Sequence, residues 1–320
     1  MHIQYNDYVL ERRVFSSAHT SKHIIRKGAL LKVSFADGLV GFADCHPWPE
    51  LGDRTIDEQI SGLRNNKMTS LMRCSIRFAH FDAQARKQNK SLFEGQSVPS
   101  SHFLIPDILA CEKDVIDHLT TQGYTHVKIK LGNQLDQEIT QLTHLFSRTS
   151  LKLRFDFNEK LSEKMFCTFL EAIEEIRPFI DFIEDPFPFH SEEWKRCQDT
   201  YSVALASDRH CIAARYWPES SSFIIVKPAI HSIDLFSQCP KEKLIVTSYL
   251  DHPIGQLGAA YAASQLDPHG HNIHGLLSHH VYQSNFFSME LSQQGPRFTS
   301  PYGYGCGYEK QLASLQWKVV

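Results

Sequence analysis

The sequence lacks any long hydrophobic run. No window approaches the roughly 18 apolar residues that a membrane-spanning helix needs. The first residues, MHIQYNDYVLERRVF, contain no basic segment followed by an apolar stretch, which is the pattern of a secretory leader. We therefore expect a cytoplasmic protein with neither a membrane span nor a leader.

A strong excess of charge of either sign is also missing. The chain carries 33 lysines and arginines against 36 aspartates and glutamates, a formal net charge of -3, and its basic residues are not concentrated in one run. Proteins that bind nucleic acids or acidic membrane surfaces usually show a basic patch. We therefore expect a small-molecule partner, with no nucleic acid and no membrane.

Close cysteine pairs are absent as well. The cysteines form no C-x-x-C motif, which argues against a zinc cage and against a disulfide framework. We expect reduced and mostly buried thiols. The eight positions are Cys45, Cys74, Cys111, Cys167, Cys197, Cys211, Cys239 and Cys306.

The first hundred residues have a mixed α+β pattern. The alternating segments ALLKVSF and LVGFADC flank the turn ADG, which predicts a hairpin, and IRFAHFDAQARKQNK has helical periodicity. We interpret residues 1–100 as one α+β domain. The tail from about 300 to 320 is expected to return to it.

A different rhythm follows the segment GQSVPSS. Short apolar strands alternate with helical segments over residues 101–300: HFLI, VKIKL, LRFDF, FIEDP, ALASD, FIIVK, LIVTS and NIHGL. Eight such units predict a closed (β/α) barrel of the TIM type. An open doubly wound sheet is the alternative, but its glycine-rich first turn is missing.

Five successive predicted strands end in charged residues. In a parallel barrel these ends converge on one mouth, where active sites of this fold lie. Strand interiors such as FIIV are continuously apolar, which is not the pattern of a solvated face. The charged residues are Lys128, Lys130, Asp156, Glu184, Asp208 and Lys227.

The three carboxylates of this set are a candidate metal site. Asp156, Glu184 and Asp208 come from adjacent strands and supply the hard oxygen ligands that suit Mg²⁺, with Mn²⁺ as a second candidate. The alternative is a structural network in which they pair with the neighbouring lysines.

The lysines lie on either side of that trio. This order suits abstraction of a proton next to a substrate carboxylate, with the metal stabilising the enediolate and one lysine taking the proton. A second ammonium group lowers the pKa of such a base, which explains the pair Lys128 and Lys130.

As an ordered set, VKIKLG, LRFDFNEKL, FIEDPF, ASDRH and IIVKPAI resemble the enolase superfamily, and KGALLKVSFADGLVGFADCHPWPELGD is similar to its N-terminal capping domain. Within it, the short length, LRFDFN, VKPAI and IVTSYLDHPIG look most like the o-succinylbenzoate synthase family of menaquinone biosynthesis. The resemblance implies dehydration of a succinyl-hydroxycyclohexadiene carboxylate by a carbon–oxygen lyase.

The resemblance also implies roles for individual residues. Lys130 would be the base and the acid for the leaving hydroxide, Lys128 would tune it, and Lys227 would stabilise the enolate. Asp156, Glu184 and Asp208 would bind Mg²⁺. The remaining roles are Asn158 behind the metal ligands, Arg154 lining the site, and Thr247 with Ser248 at the succinyl side of the substrate.

Two other functions stay open at this stage. A racemase of N-succinylamino acids or a dipeptide epimerase would use the same lysines from opposite faces, although dipeptide epimerases place an acidic pair on the eighth strand and NIHGLLSHH has none. A non-catalytic binding protein with a decayed site is the alternative from another class.

Several positions depart from the family pattern. Arg209 stands where the family usually has Glu, and Tyr249 and His252 stand where small hydroxyl residues are usual, on the expected substrate wall. His19 and His23 fall in the expected capping loop. A histidine tract is interpreted as a loop around the last strand rather than a metal site, and contains His269, His271, His274, His279 and His280.

Overall fold

The structure is a computed structural model that describes residues 1–13, 25–214, 220–291 and 293–320. His19 and His23 of the expected capping loop lie outside these ranges. No helix within the described ranges has the length and apolar character that crossing a membrane requires.

The chain begins with three antiparallel strands: β1 (His2–Glu11), β2 (Ile25–Ser34) and β3 (Val40–Cys45). The predicted hairpin joins β2 to β3. Its turn is closed by hydrogen bonds from the N–H of Phe35 to the carbonyl oxygen of Leu39 and from the N–H of Gly38 to that of Phe35. Gly38 has a φ of +82°, which glycine adopts without steric cost. The ADG segment therefore forms the turn that its residues predict.

Two helices cover one face of this sheet: α1 (Ile56–Arg64) and α2 (Ser70–Lys87). The first begins with a capping box, in which Thr55 and Glu58 satisfy each other's backbone N–H groups. The second packs closely on β3, and Leu71, Met72 and Ala79 are buried there. This antiparallel sheet with its helices is called the cap below.

Parallel strands then form the barrel. Within the described residues, seven pair in sequence order: β4 (Phe103–Ile105), β5 (His126–Lys130), β6 (Lys152–Asp156), β7 (Ile180–Glu184), β8 (Leu205–Ser207), β9 (Phe223–Val226) and β10 (Leu244–Val246). Parallel bridges from Ser101 to His274 and from Thr247 to Gly275 complete the ring. The predicted eighth strand, NIHGL, is this short bridging segment, and the predicted TIM-type fold is confirmed.

Helices surround the strands as an outer layer: α3 (Lys113–Thr121), α4 (Leu135–Phe146), α5 (Glu163–Ala172), α6 (Ser191–Tyr201), α7 (Cys211–Ala214) and α8 (Pro253–Leu266). Their inner faces bury large side chains against the strands, among them Phe146, Phe166, Phe169 and Trp194. This core fixes the strands on which the site is built.

The C-terminal segment returns to the cap. After a short hairpin of β11 (Gln293–Gln294) and β12 (Arg297–Phe298), helix α9 (Glu309–Ser314) leads to β13 (Lys318–Val319). Strand β13 pairs with β1, so the last residues extend the sheet of the first ones. The domain boundaries at residues 100 and 300 stay a prediction.

Single-turn 3₁₀ helices lie at Pro49–Leu51, Arg177–Phe179, Ile233–Phe236, Lys241–Lys243 and His279–Val281.

We predict that Gly41→Ala destabilises the cap. A Cβ at this position would lie 1.8 Å from the carbonyl oxygen of Ala79, so β3 and α2 would have to separate. Overpacking of this kind costs about 1–3 kcal/mol, and a lower midpoint of thermal unfolding would measure it. The matched control is Gly258→Ala in α8, whose Cβ would meet Phe78 at an ordinary 3.5 Å. Equal stability of the two variants would contradict the close approach.

Candidate active site

The charged strand ends meet at one mouth of the barrel because the strands pair in register. Lys130 lies opposite Asp156, and Asp156 lies opposite Glu184. One residue beyond β8 and β9 come Asp208 and Lys227. The sequence order of these residues is therefore also their order around the mouth.

A cleft with an empty volume of about 850 Å³, including the part open to solvent, lies at this mouth. The cap contributes Trp48, Glu50 and Leu51 to its wall, and the barrel contributes the rest. Of the predicted site residues, the cleft is lined by Lys128, Lys130, Asp156, Asn158, Asp208, Lys227, Thr247 and Ser248.

Lys128 is buried among carboxylates. Its Nζ lies 2.7 Å from both carboxylate oxygens of Glu184 and 3.1 Å from Oδ2 of Asp156. Burial lowers the pKa of Lys128, but Asp156 and Glu184 outweigh it and hold this pKa well above its usual value. Lys128 is therefore a fixed cation.

Lys130 is the more open of the two lysines on β5. Its nearest carboxylate oxygen, Oδ2 of Asp156, is 3.6 Å away, and 31% of its side chain is exposed. Burial is the largest cause that lowers the pKa of Lys130, and repulsion by Lys128 and Lys227 adds to it. The sequence predicts the repulsion, and the structure adds the larger effect of burial.

Lys227 forms an ion pair with Asp208. Burial lowers its pKa, but Asp208 and Glu184 more than compensate and raise it. Its Nζ also lies 5.8 Å from the centroid of the Tyr249 ring. Lys227 is thus a second fixed cation on the wall of the cleft.

The three carboxylates are paired with lysines in this structure. Among the described residues, no three His, Cys, Asp or Glu side chains are already arranged as ligands of one metal ion. The oxygens of Asp156, Glu184 and Asp208 instead face ammonium groups, the arrangement that the sequence left open as an alternative. Burial and the neighbouring carboxylates raise the pKa of Glu184 to about 7 even so.

Two residues hold the carboxylates in place. Asn158 donates from Nδ2 to Oδ1 of Asp156 at 2.7 Å. Asp185 is buried, has a φ of +41°, and accepts the backbone N–H groups of Asp208 at 3.1 Å and Arg209 at 2.9 Å. Asp185 therefore fixes the backbone that presents Asp208.

Arg154 lies beneath the cleft and does not line it, contrary to the sequence prediction. Its Nε donates to Asp181 at 2.7 Å and its Nη1 to the carbonyl oxygen of Ile273 at 2.6 Å. The guanidinium group also lies over the ring of Phe182, 4.5 Å from its centroid. Arg154 lies beneath the cleft because it comes two residues before Asp156, on the same face of β6 but deeper in the barrel.

The predicted succinyl side of the cleft contains hydroxyl groups. The Oγ1 of Thr247 is buried and has no hydrogen-bond partner in the described part of the chain. The hydroxyl groups of Ser248 and Ser278 lie 2.9 Å apart. This wall therefore carries one unpartnered hydroxyl oxygen, on Thr247, and one pair of mutually bonded hydroxyl groups.

The departures from the family pattern have separate structural roles. Tyr249 lines the cleft and donates to Asp53 of the cap at 3.0 Å. His252 does not line it, contrary to expectation, because it caps α8 by accepting from the N–H of Ile254. Arg209 lies 3.7 Å from Glu159 in a partly exposed ion pair.

The histidine tract is held by conventional contacts. Asp267 accepts from the rings of His271 and His274 at 2.9 and 3.2 Å, and Nδ1 of His274 accepts from the N–H of Val246. His280 stacks on Phe103 with ring centroids 4.1 Å apart. These contacts agree with a loop around the last strand.

Sequence reasoning missed three residues of the site. Trp48 reaches the cleft from the cap, and His102 reaches it from the residue before β4. The side chain of Asp185 acts on the backbone of another strand, for which the sequence has no pattern. The only available signal was that Asp185 directly follows Glu184 in FIEDP.

Comparisons with known proteins agree with this architecture. Residues 3–85 match the family model described as "O-succinylbenzoate synthase, N-terminal domain", and residues 112–219 match "Enolase C-terminal domain-like". Among solved structures, an o-succinylbenzoate synthase from Thermosynechococcus elongatus with Mg in its active site superposes with a TM-score of 0.66 at 17% identity, covering 89% of this chain and 95% of that one. An N-succinyl Arg/Lys racemase from Bacillus cereus superposes with a TM-score of 0.77 at 14% identity, covering 100% of both chains. At these identities the two structures show the shared fold alone.

A closer relative identifies the family. The o-succinylbenzoate synthase of Bdellovibrio bacteriovorus is 37% identical over 326 residues, which cover 98% of this chain and 97% of the relative. Identity at this level extends over both the cap and the barrel. The chain therefore belongs to the o-succinylbenzoate synthase family of the enolase superfamily.

Proposed function

We propose that the protein is a Mg²⁺-dependent o-succinylbenzoate synthase of menaquinone biosynthesis that works in the cytoplasm. It would dehydrate 2-succinyl-6-hydroxy-2,4-cyclohexadiene-1-carboxylate to o-succinylbenzoate. The observation that carries this proposal is that one cleft contains Lys130 and Lys227 together with the carboxylates of Asp156 and Asp208. The named relative supports the choice of substrate.

The metal would be held by Asp156, Glu184 and Asp208. Their carboxylates are the hard oxygen donors that Mg²⁺ prefers, and Mn²⁺ could replace it. Lys128 touches both Asp156 and Glu184, so these two carboxylates already lie close to one shared cation. When bound, the ion would stabilise negative charge on the substrate carboxylate during proton removal.

Lys130 would move the protons. It has the loosest contact of the three lysines, lines the cleft and has its pKa lowered by burial, a shift in the direction that a general base needs. It would take the proton from the carbon next to the substrate carboxylate. It would then return that proton to the hydroxyl group on the same face, the carbon–oxygen bond would break, and water would leave.

The other two lysines would act as fixed charges. Lys227 would stabilise the negative charge of the enediolate from its side of the cleft. Lys128 is paired with two carboxylates, so it would hold Asp156 and Glu184 in place, and its charge adds to the burial that lowers the pKa of Lys130.

A racemase of N-succinylamino acids is the second candidate, because Lys130 and Lys227 both line the cleft and could act from opposite faces. A dipeptide epimerase is less well supported, since the eighth-strand positions in the wall are Gly275, Leu277 and Ser278, without an acid to hold a substrate ammonium group. Incubation of N-succinylamino acids in D₂O tests the racemase activity. Deuterium exchange with loss of optical activity, and no dehydration of the cyclohexadiene acid, would favour it.

We predict that turnover of the cyclohexadiene substrate requires a divalent ion. Three carboxylates that bind one cation lose their function without it, so treatment with a chelator should abolish formation of o-succinylbenzoate. Adding Mg²⁺ should restore it. The control is the same treatment with a chelator already saturated with Mg²⁺. Full activity of a protein shown by elemental analysis to be metal-free would contradict this proposal.

We predict different effects for the two lysines in the cleft. Lys130→Ala should abolish dehydration and the exchange of the substrate α-proton with solvent, because the base is gone. Lys227→Ala should lower kcat about 100-fold or more through lost charge stabilisation, while proton abstraction by Lys130 remains possible. Dehydration is followed by absorbance and exchange by NMR in D₂O. Equal exchange rates in Lys130→Ala and wild type would contradict the assignment.

We predict that Asp185 controls metal affinity through Asp208. Asp185→Ala removes both acceptors for the Asp208 and Arg209 N–H groups, and the Mg²⁺ concentration for half-maximal activity should rise about 10-fold or more. Asp185→Asn keeps one acceptor and tolerates the positive φ, so its effect should be smaller.

The matched control for Asp185 is Glu159→Gln. This substitution weakens the pair with Arg209 and the 2.9 Å contact of Glu159 with Nε2 of His210, neither of which touches a proposed metal ligand, so the requirement for Mg²⁺ should change little. Calorimetric titration with Mg²⁺ separates binding from turnover. Equal changes of Mg²⁺ affinity in Asp185→Ala and Glu159→Gln would show that Asp185 does not position Asp208 as a metal ligand.

A further inference from the structure

His102 is a buried histidine on the wall of the cleft that the mechanism above does not use. It precedes β4 and has only 4% of its surface exposed. Its ring packs against Gly275, where a Cβ would lie 2.7 Å from Cε1 and 2.8 Å from Nε2 of His102. The same Cβ would lie 2.9 Å from Cγ2 of Thr247. We refer to His102, Thr247 and Gly275 as the arm wall, because they lie beside the predicted site of the succinyl arm of the substrate.

The bridges between strands explain why these residues meet. Ser101 pairs with His274, so the next residues, His102 and Gly275, lie side by side. Gly275 in turn pairs with Thr247. The arm wall is therefore the seam at which the first and last strands close the barrel, beside the predicted succinyl side of the cleft.

Arg154 determines where the proton of His102 lies. Its Nη1 is 3.0 Å from Nδ1 of His102. A guanidinium group only donates hydrogen bonds, so Nδ1 must accept, and a neutral ring then carries its proton on Nε2. Burial and the charge of Arg154 lower the pKa of His102 well below its usual value, which agrees with a neutral ring. Asp181 and the carbonyl of Ile273 hold Arg154 in this position.

The Nε2–H group of His102 has no hydrogen-bond partner among the residues that the structure describes, although the ring is buried and lines the cleft. The Oγ1 of Thr247 in the same wall is also buried and unpartnered. Leaving a buried polar atom such as this Oγ1 unpaired costs about 1–3 kcal/mol, and unpaired donors on the wall of a cleft usually meet a ligand or water. The cation behind the ring makes Nε2–H a stronger donor, which favours an anionic acceptor.

We propose that the Nε2–H of His102 donates to the terminal carboxylate on the succinyl arm of the substrate and of the product. His102 is then a specificity-determining residue, and Arg154 is a positioning residue that fixes its tautomer. The inference rests on the proposed function, because it assigns one group of that substrate to one wall of the cleft.

Two substitutions of His102 separate its two hydrogen bonds. The amide oxygen of His102→Asn can replace Nδ1 as the acceptor for Arg154, but the side chain is too short to donate into the cleft. The amide of His102→Gln reaches the position of Nε2 and can donate there. The probes are o-succinylbenzoate and 2-butyrylbenzoate, which lacks the terminal carboxylate, each titrated calorimetrically in the presence of Mg²⁺.

We predict that His102→Asn weakens binding of o-succinylbenzoate about 10-fold to 100-fold, the loss typical of a hydrogen bond to a charged group. Its affinity for 2-butyrylbenzoate should stay within about threefold of wild type, because that ligand has no carboxylate at the arm wall. His102→Gln should retain most of the preference for o-succinylbenzoate. In wild type, the Nε2–H proton resonance of His102 should move downfield with o-succinylbenzoate and not with 2-butyrylbenzoate, a measurement that does not depend on how the variants fold.

An unchanged ratio of the two affinities in His102→Asn, or an equal loss for both ligands, would overturn the role of His102 while leaving the proposed function intact. An Nε2–H resonance that responds equally to both ligands would do the same. If wild type neither binds o-succinylbenzoate nor dehydrates the cyclohexadiene acid, the proposed function is wrong and this inference falls with it.

Discussion

The buried ammonium group of Lys128 is the interaction on which the mouth of the barrel depends. It contacts carboxylates from two other strands, so β5, β6 and β7 share one ionic contact at their ends. Removing one member of a buried ion group typically costs about 3–5 kcal/mol, because the partner is left uncompensated. A lysine at this depth is therefore both part of the fold and part of the site, and this dual role explains why the strand carries two lysines.

The cap is joined to the barrel by polar contacts as well as apolar packing. The hydroxyl group of Tyr8 donates to Asp44 at 2.6 Å, and Asp44 accepts the backbone N–H of His252 at 3.1 Å. A Cβ on Gly255 would lie 2.6 Å from carboxylate oxygens of both Asp44 and Asp251, so only glycine fits between them. These contacts hold the cap close to the residues after β10, and Trp48 reaches the cleft from there.

The sequence predicted the strands well because each is a short apolar run, and five successive ones end in charged residues. It also placed Lys130 and Asp156 side by side, since parallel strands of equal length end together. It failed for Arg154, whose two-residue offset from Asp156 keeps the same face but sets the side chain about 7 Å deeper. It failed for His102 and Asp185, because their contacts depend on how distant strands align when the barrel closes.

That two-residue offset divides the barrel interior into two levels. Lys130, Asp156 and Glu184 lie opposite one another at the strand ends, and Lys128, Arg154 and Phe182 lie opposite one another in the level below, from which Lys128 also reaches the cleft. The lower level supports the upper one through fixed charges: Lys128 reaches up to the carboxylates, while Arg154 is neutralised by Asp181 and orients His102. Because both lower cations already have partners, substitutions there would act on the chemistry by moving or freeing the groups above them and, at Lys128, by removing a charge that lowers the pKa of Lys130. The reactive lysine, Lys130, is the one left with the weakest ionic contact. It keeps this freedom because the cations beneath it are already firmly paired with carboxylates.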